Sequence, residues 1–347
     1  MPQTPREVVR DCLTFNSPSR IPRQTWVLPW MTTHHPDAWA RLQAAYPDDF
    51  GGTGADYRPS GVAQGDPYKV GLYVDDWGCR FENIHEGVIG EVKDPVIEDL
   101  DDWRSTLRPP YETLPEDRNA ARDTVNRACS QSDRFMMGGC CPRPWERLQF
   151  LRGTVNAMMD VMAPEDGAGD LIKAIHDYYM TELEFWVSTD VDAVMFMDDW
   201  GSQQSLLIPP PVWRDLFKPL YRDYCELAHS HGKFAFMHSD GCIQEVYTDL
   251  AEVGVDAQNS QLFTMDLDLL ARTVKGRITF WGEIDRQHVL VDPDPEVARR
   301  AVRRVAEALY DPRGGIIAQF ELGPGANPDA AFAIHDEWER VHSEHAR

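Results

Sequence analysis

The hydrophobic pattern of this chain changes character near Phe135. Ahead of that point, apolar positions are scattered among prolines, glycines and aromatics; beyond it, short apolar runs alternate with longer stretches of helical spacing. The later pattern reads as strand and helix in turn. Strands are expected at 135–139, 191–197, 233–237, 255–257, 277–281 and 315–320. Helices are expected at 144–151, 154–162, 164–187, 210 to about 230, 242–253, 267–274, 294–309 and 328 to about 343. In the fourth of these, Pro210 and Pro211 suit a first turn, and Val212, Leu216, Leu220 and Leu227 share one face.

The first third is less regular. A helix is expected over 5–13, with Thr4 as N-cap and Pro5 at the first helical position. Prolines and aromatics alternate from Arg20 to Trp30, then His34 and His35 precede a helix marked by Trp39, Leu42 and Tyr46. Residues 51–66 are rich in glycine, proline and small polar groups, a loop long enough to cover a pocket. Alternation over 69–93, through Tyr73, Trp77, Phe81, Ile84, Val88 and Ile89, predicts one or two antiparallel hairpins outside the main fold. Helices at 100–107 and 115–129 follow.

Repeated strand and helix imply a parallel sheet with crossover helices. Where the polar groups fall decides its architecture. Asp198, Asp199, His238, Asp240, Gln261, Glu283, Asp285 and Glu321 each lie within a few residues of an expected strand's carboxyl end. In a closed barrel those ends form one rim, so groups distant in sequence converge on one cleft. An open doubly wound sheet would string them along an edge, and no GxGxxG or GxxxxGK[ST] follows a strand here. The expected fold is therefore α/β, a single (β/α)8 TIM barrel. Residues 1–132 are read as an integral N-terminal part whose loop and hairpins cover the mouth, and 133–347 as the barrel core.

The net charge of −23 argues against a nucleic-acid or anionic-membrane partner. No stretch has the apolar length of a membrane span, and Met1 to Arg6 lack an apolar core behind their charge, so a cytoplasmic protein is expected. Seven cysteines without CxxC spacing suggest reduced thiols, including the adjacent Cys140 and Cys141.

The chemistry is expected at the rim. His238, Asp240 and Glu321 suit a divalent metal: an imidazole and two carboxylates with an open position. His-x-Asp places both side chains on one side of an extended segment. In the structural alternative, Asp240 caps the helix expected from Cys242 and His238 is a satisfied polar residue. Of the adjacent pair, Asp199 is read as the cleft residue, with capping or substrate contact left for Asp198. Glu283 and Asp199 are candidates for moving a proton, since a carboxyl buried among acids has a raised pKa. Gln261, Asp285, Trp30 and His34 complete the candidate substrate contacts.

Several landmarks together carry a resemblance: WERLQFLRG at Trp145, FMDDWGSQQSLLIPPPVWRDLFKPLY at Phe196, KFAFMHSDG at Lys233, VGVDAQNSQ at Val253, ITFWGEID at Ile278 and GGIIAQFELGPGANPD at Gly314. From about Asp133 onward the chain resembles the uroporphyrinogen decarboxylase superfamily, which also holds cobalamin-linked methyltransferases. The resemblance implies one (β/α)8 barrel. True uroporphyrinogen decarboxylases carry an RQAGR-like element early in the chain, whereas this sequence reads RQTWVLPW from Arg23, without the second arginine. The methyltransferases bind zinc through a His-x-Cys pair and a later cysteine; His238 matches the histidine, while Asp240 and Glu321 stand at the two thiolate positions. Two carboxylates there make a harder site, suited to activating an ether or alcohol oxygen. The resemblance thus implies a metal-dependent methyltransferase, with zinc the expected metal. It would demethylate a small methoxylated substrate and pass the methyl group to a corrinoid on a separate protein. A metal-independent decarboxylase or lyase is the alternative, and a non-catalytic binding barrel the third reading. A homodimer is a further expectation from relatives.

Overall fold

The computed structural model describes residues 2–163 and 167–345. Its strands are β1 (Arg23–Val27), β2 (Phe50–Gly52), β3 (Gly71–Val74), β4 (Arg80–Asn83), β5 (Glu91–Asp94), β6 (Phe135–Met137), β7 (Ala193–Met197), β8 (Phe234–Ser239), β9 (Ala257–Ser260), β10 (Thr279–Trp281) and β11 (Ile316–Leu322). Eight of them form one sheet, in the order β1-β11-β10-β9-β8-β7-β6-β2, and every neighbouring pair is parallel. The remaining seam is joined locally. The Asp49 amide donates to the Arg23 carbonyl at 3.0 Å. The Asp49 carboxylate accepts from the Arg23 amide at 2.8 Å, and that of Asp48 from the Thr25 amide, also at 2.8 Å. The sheet is thereby a near-closed α/β barrel, as expected.

Two of its strands, β1 and β2, lie ahead of residue 133, where the core was expected to begin. The barrel core therefore includes part of the N-terminal third. Both escaped the sequence for local reasons: β1 reads RQTWV between prolines, and β2 is FGG, with little apolar pattern. The N-terminal helix Pro5–Leu13 has the expected Thr4 cap, completed as a capping box by Glu7. It closes the end opposite the mouth. Its Cys12 carbonyl accepts from Gly315, just ahead of β11, and Arg6 and Arg10 pair with Asp192, just ahead of β7. Above it the barrel is filled by aromatic rings. Phe50 and Phe135 lie 5.5 Å apart, Phe135 and Phe236 5.7 Å, and Phe236 and Trp281 5.0 Å. With one end plugged and the interior solid, chemistry is left to the carboxyl ends of the strands.

Helices sheathe the barrel. The expected 164–187 helix runs Ala168–Val187; its first three expected residues lie outside the described ones. The 210–230 helix is broken at Phe217 into Pro210–Leu216 and Lys218–Ser230. The expected hairpins are the antiparallel sheet β3-β4-β5. Its Phe81 ring meets Phe150 of helix Pro144–Arg152 at 5.1 Å. Among the described residues, no helix is long and apolar enough to cross a membrane.

The C-terminal helix Pro328–His345 packs His335 between Tyr46 and Phe320, with Nε2 3.1 Å from the Thr25 hydroxyl. Burial, seconded by Arg23, pushes this imidazole down to about 3. The unfolded chain takes up the proton below its ordinary 6.5, while the folded protein refuses it until about 3. Stability is therefore lost as pH falls through that window, by about 1.4 kcal/mol per unit. Between pH 6.5 and 5 the wild-type unfolding free energy should drop by about 2 kcal/mol more than that of His335→Gln, as read from urea melts. Parallel pH profiles for the two proteins would contradict this.

Candidate active site at the carboxyl ends of the strands

Register brings the first groups together. β7 and β8 align Met197 with His238, and β8 and β9 align His238 with Asn259. His238 is buried, and its Nδ1 lies 2.6 Å from Asn259 Oδ1. The Asn259 amide nitrogen donates to the Trp281 carbonyl at 2.5 Å and to Gln319 Oε1 at 2.8 Å. Its oxygen must therefore face the histidine, so Nδ1 carries the proton and Nε2 is turned to the mouth. There Nε2 lies 3.5 Å from Asp199 Oδ1 and 3.7 Å from Asp240 Oδ1. Burial opposes charge on this imidazole, but Asp199 and Asp240 outweigh it and raise its pKa.

The loops carrying the two aspartates are locked back to back. A Cβ on Gly201 would stand 2.3 Å from the Cys242 amide nitrogen, and one on Gly241 2.1 Å from the Gly201 carbonyl oxygen. Neither position can hold a side chain without moving a loop. Asp199 Oδ1 accepts from the Asp240 amide at 2.9 Å, which ties the pair further.

Asp240 does not cap a helix: after a 3-10 turn at Gln244–Val246 the helix begins at Tyr247, and the second carboxylate oxygen of Asp240 instead bonds Arg286. Arg286 is the group that sequence reasoning missed. Its guanidinium also reaches Glu283 Oε1 at 3.3 Å and Glu321 Oε1 at 3.0 Å, so three carboxylates from the ends of β8, β10 and β11 share one cation. Glu283, Asp285 and Glu321 crowd negative charge at the rim, and an arginine three residues past Glu283 was the available signal. Burial pushes Glu283 up to about 7 despite the pull of Arg286, and it raises Glu321 as well.

The strand ends bring together a different set of possible ligands from the one expected. Among the described residues, Asp199, His238 and Asp240 form a group whose ligand atoms all lie within 4.8 Å of one another. Glu321 is outside it, engaged by Arg286. Asp240 Oδ1 is buried without a hydrogen-bond partner, and with Nε2 and Asp199 Oδ1 it makes a nitrogen-and-oxygen donor set that fits a divalent ion.

Several expected substrate contacts are spent on the protein itself. Asp198 is fully buried and accepts from the Trp145 and Glu146 amides at 3.0 and 2.8 Å and from the Tyr221 hydroxyl at 2.6 Å. It caps helix Pro144–Arg152 from beneath and cannot touch a substrate. Asp285 folds its own turn, accepting from the Gln287 and His288 amides and pairing with the His288 ring. Gln261 accepts from the Gly241 amide, and lines with Glu283, Asp285 and Arg286 a side cavity of about 150 Å³. Trp30 and His34 stack on each other at 4.6 Å, and among the described residues no hydrogen bond or ion pair ties either to the strand-end groups.

Beside the cluster, a cavity of about 610 Å³ opens between the β3-β4-β5 sheet and the barrel. It reaches the rim at Met197 and Glu146, and the charge of Asp199 adds to burial in raising the pKa of Glu146.

The uroporphyrinogen decarboxylase (URO-D) family matches over residues 72–337. Comparison with curated protein sequences returned no match. Among solved structures, a methyltransferase from Methanosarcina mazei superposes with a TM-score of 0.70 at 13% identity, over 98% of this chain and 99% of that one. At that identity the likeness establishes the fold alone. An intracellular xylanase from Thermoanaerobacterium saccharolyticum aligns over 96% of this chain and 98% of its own, at 12% identity and a TM-score of 0.44.

Proposed function

Because the chain belongs to the uroporphyrinogen decarboxylase family, we propose that it is an enzyme of that family's methyltransferase kind, demethylating a small methoxylated or related substrate. The acceptor in this reading is a corrinoid on a separate protein, as the family resemblance implies. The observation that carries the reading is the convergence of Asp199, His238 and Asp240, with one buried Asp240 oxygen lacking any partner. These residues would hold a divalent metal, zinc first among candidates. When bound, that ion supplies Lewis acidity to the substrate's leaving oxygen.

The chain's own groups have separate tasks. Asn259 holds the His238 ring in the tautomer that presents Nε2. Arg286 holds Asp240 by one oxygen and so turns the other toward Nε2. Glu283, poised near pH 7, is the group suited to holding a proton and giving it to the departing oxygen. The family likeness of the fold and the cavity beside the cluster support the same reading. Metal-independent decarboxylation ranks second, because Arg286, the cation at the strand ends, is already engaged with three carboxylates of the protein.

Elemental analysis tests the proposal. Protein purified without added metal should contain close to one zinc or iron per chain, and His238→Ala should lose it while remaining folded. Methoxylated donors incubated with the protein and a reduced corrinoid protein should yield demethylated product. A folded wild type that neither contains nor takes up a divalent metal, or no product across a broad donor panel, would overturn it.

A further inference from the structure

The cavity beneath the β3-β4-β5 sheet contains a cation that is only loosely paired among the described residues. Six of its lining residues, Tyr57, Tyr73, Trp77, Phe81, Phe150 and Tyr178, present aromatic surface. Such walls suit a flat ring. Its charged residues can be accounted for in turn. Arg147 bonds the Asp75 carboxylate at 2.5 Å and the Tyr179 hydroxyl at 3.4 Å, with its guanidinium over the Trp77 and Phe150 rings. Arg58 pairs with Glu116 at 3.2 Å, and Asp76 accepts from the Ser60 amide at 2.7 Å. Glu182 accepts from the Tyr57 hydroxyl at 3.2 Å, and burial pushes it up to about 7, so near neutrality it is ionised only in part.

Arg143 is different. It stands at the start of helix Pro144–Arg152, on the rim just past β6, with its side chain 27% exposed. Its Nε donates to the Cys141 carbonyl at 3.5 Å, and its nearest carboxylate oxygen, Glu146 Oε2, is 3.8 Å away, beyond hydrogen-bond reach. That oxygen is itself buried without a partner. A guanidinium has five donors arranged to match a carboxylate. Here, among the described residues, one is spent on a long bond, the Cys141 thiol and the Glu146 carboxylate are the loose neighbours of the others, and the residue lines an aromatic cavity.

We propose that Arg143 is the specificity-determining anchor of this cavity and binds the anionic substituent of a ring-bearing substrate, the ring lying against the aromatic walls. The substrate class is then an aromatic acid rather than a neutral or cationic ring. This deepens the reading above and rests on it for the fate of the bound molecule, though not for the binding.

The test is binding to metal-free protein, followed by calorimetry or by quenching of tryptophan fluorescence, with 3-methoxybenzoate, 3-methoxybenzamide and 3-methoxybenzylamine as probes. The benzoate should bind at least tenfold more tightly than the benzamide, and the benzylamine weakest of the three. Arg143→Gln should bring the benzoate-to-benzamide ratio to about one without changing the melting temperature by more than a few degrees, and Arg143→Lys should keep part of the preference. Equal binding of acid and amide by wild type, tighter binding of the amine, no binding of any probe, or an unchanged preference in Arg143→Gln overturns the proposal. Because no metal and no methyl transfer enter this measurement, anion selection can fail while the methyltransferase reading stands, and the reverse.

Discussion

Arg286→Met is expected to cost roughly 3–5 kcal/mol of stability at pH 8 and distinctly less at pH 5. The guanidinium stands among Asp240, Glu283 and Glu321, whose side chains are 27%, 1% and 17% exposed. Methionine keeps the apolar stem and removes the charge. The three carboxyls are then left facing one another in a poorly solvated pocket, and the folded-state pKa values of Glu283 and Glu321, raised already by burial with arginine present and at about 7 for Glu283, rise further. The unfolded chain ionises these two glutamates above about pH 4.5, so the folded variant binds more protons than the unfolded one, and stability falls as pH rises. Urea melts at the two pH values measure the difference. Arg286→Lys should recover less than half of the loss, since one ammonium cannot span three acceptors. An equal loss at pH 5 and pH 8 would mean that the arginine contributes packing rather than charge.

Why this arginine escaped the sequence, when the acids around it did not, is a matter of geometry. Strand ends can be read from apolar runs, and groups just past them converge in any closed barrel, so His238, Asp240, Glu283 and Glu321 could be placed on one rim in advance. Which of them face one another depends on loop paths. Arg286 lies in the turn after β10, where no periodicity applies, and that turn folds it back across to β8 and β11. The consequence is large: Glu321, assigned to a metal from sequence, is engaged by Arg286, and Asp199 stands with His238 and Asp240.

The fold was legible where burial on both faces makes strands continuously apolar. It was not legible at β1 and β2. Trp26 of β1 points into the barrel toward Trp281, with ring centroids 5.2 Å apart, but the three residues before it, Arg23, Gln24 and Thr25, are polar, at the seam that Asp48 and Asp49 close with side chains. At β2, Gly51 has its space taken by Met136: a Cβ there would come within 2.9 Å of the Met136 sulfur. A strand of which two of three residues are glycine carries little hydrophobic signal.

Asp198 marks the boundary between site and scaffold, and its variants should separate the two. All three of its hydrogen-bond partners are donors, namely the Trp145 and Glu146 amides and the Tyr221 hydroxyl. Asp198→Ala strands all three in the core, two of them at the start of helix Pro144–Arg152, and should cost on the order of 3–5 kcal/mol. Asp198→Asn is nearly isosteric yet should still cost about 1–3 kcal/mol. If its oxygen serves Trp145 and Tyr221, its amide nitrogen meets the Glu146 N–H donor to donor; turned over, it meets two donors instead. A surface aspartate would tolerate the same change within about 0.5 kcal/mol. The helix Asp198 holds begins beside Arg143 and carries Glu146, so loosening it should blur the cavity floor before it touches His238. Differential melts of wild type, Asp198→Asn and Asp198→Ala measure the stability order, and binding of 3-methoxybenzoate to the folded fraction reports the floor. Asparagine as stable as aspartate would mean that the carboxyl carries a proton and donates one of these bonds.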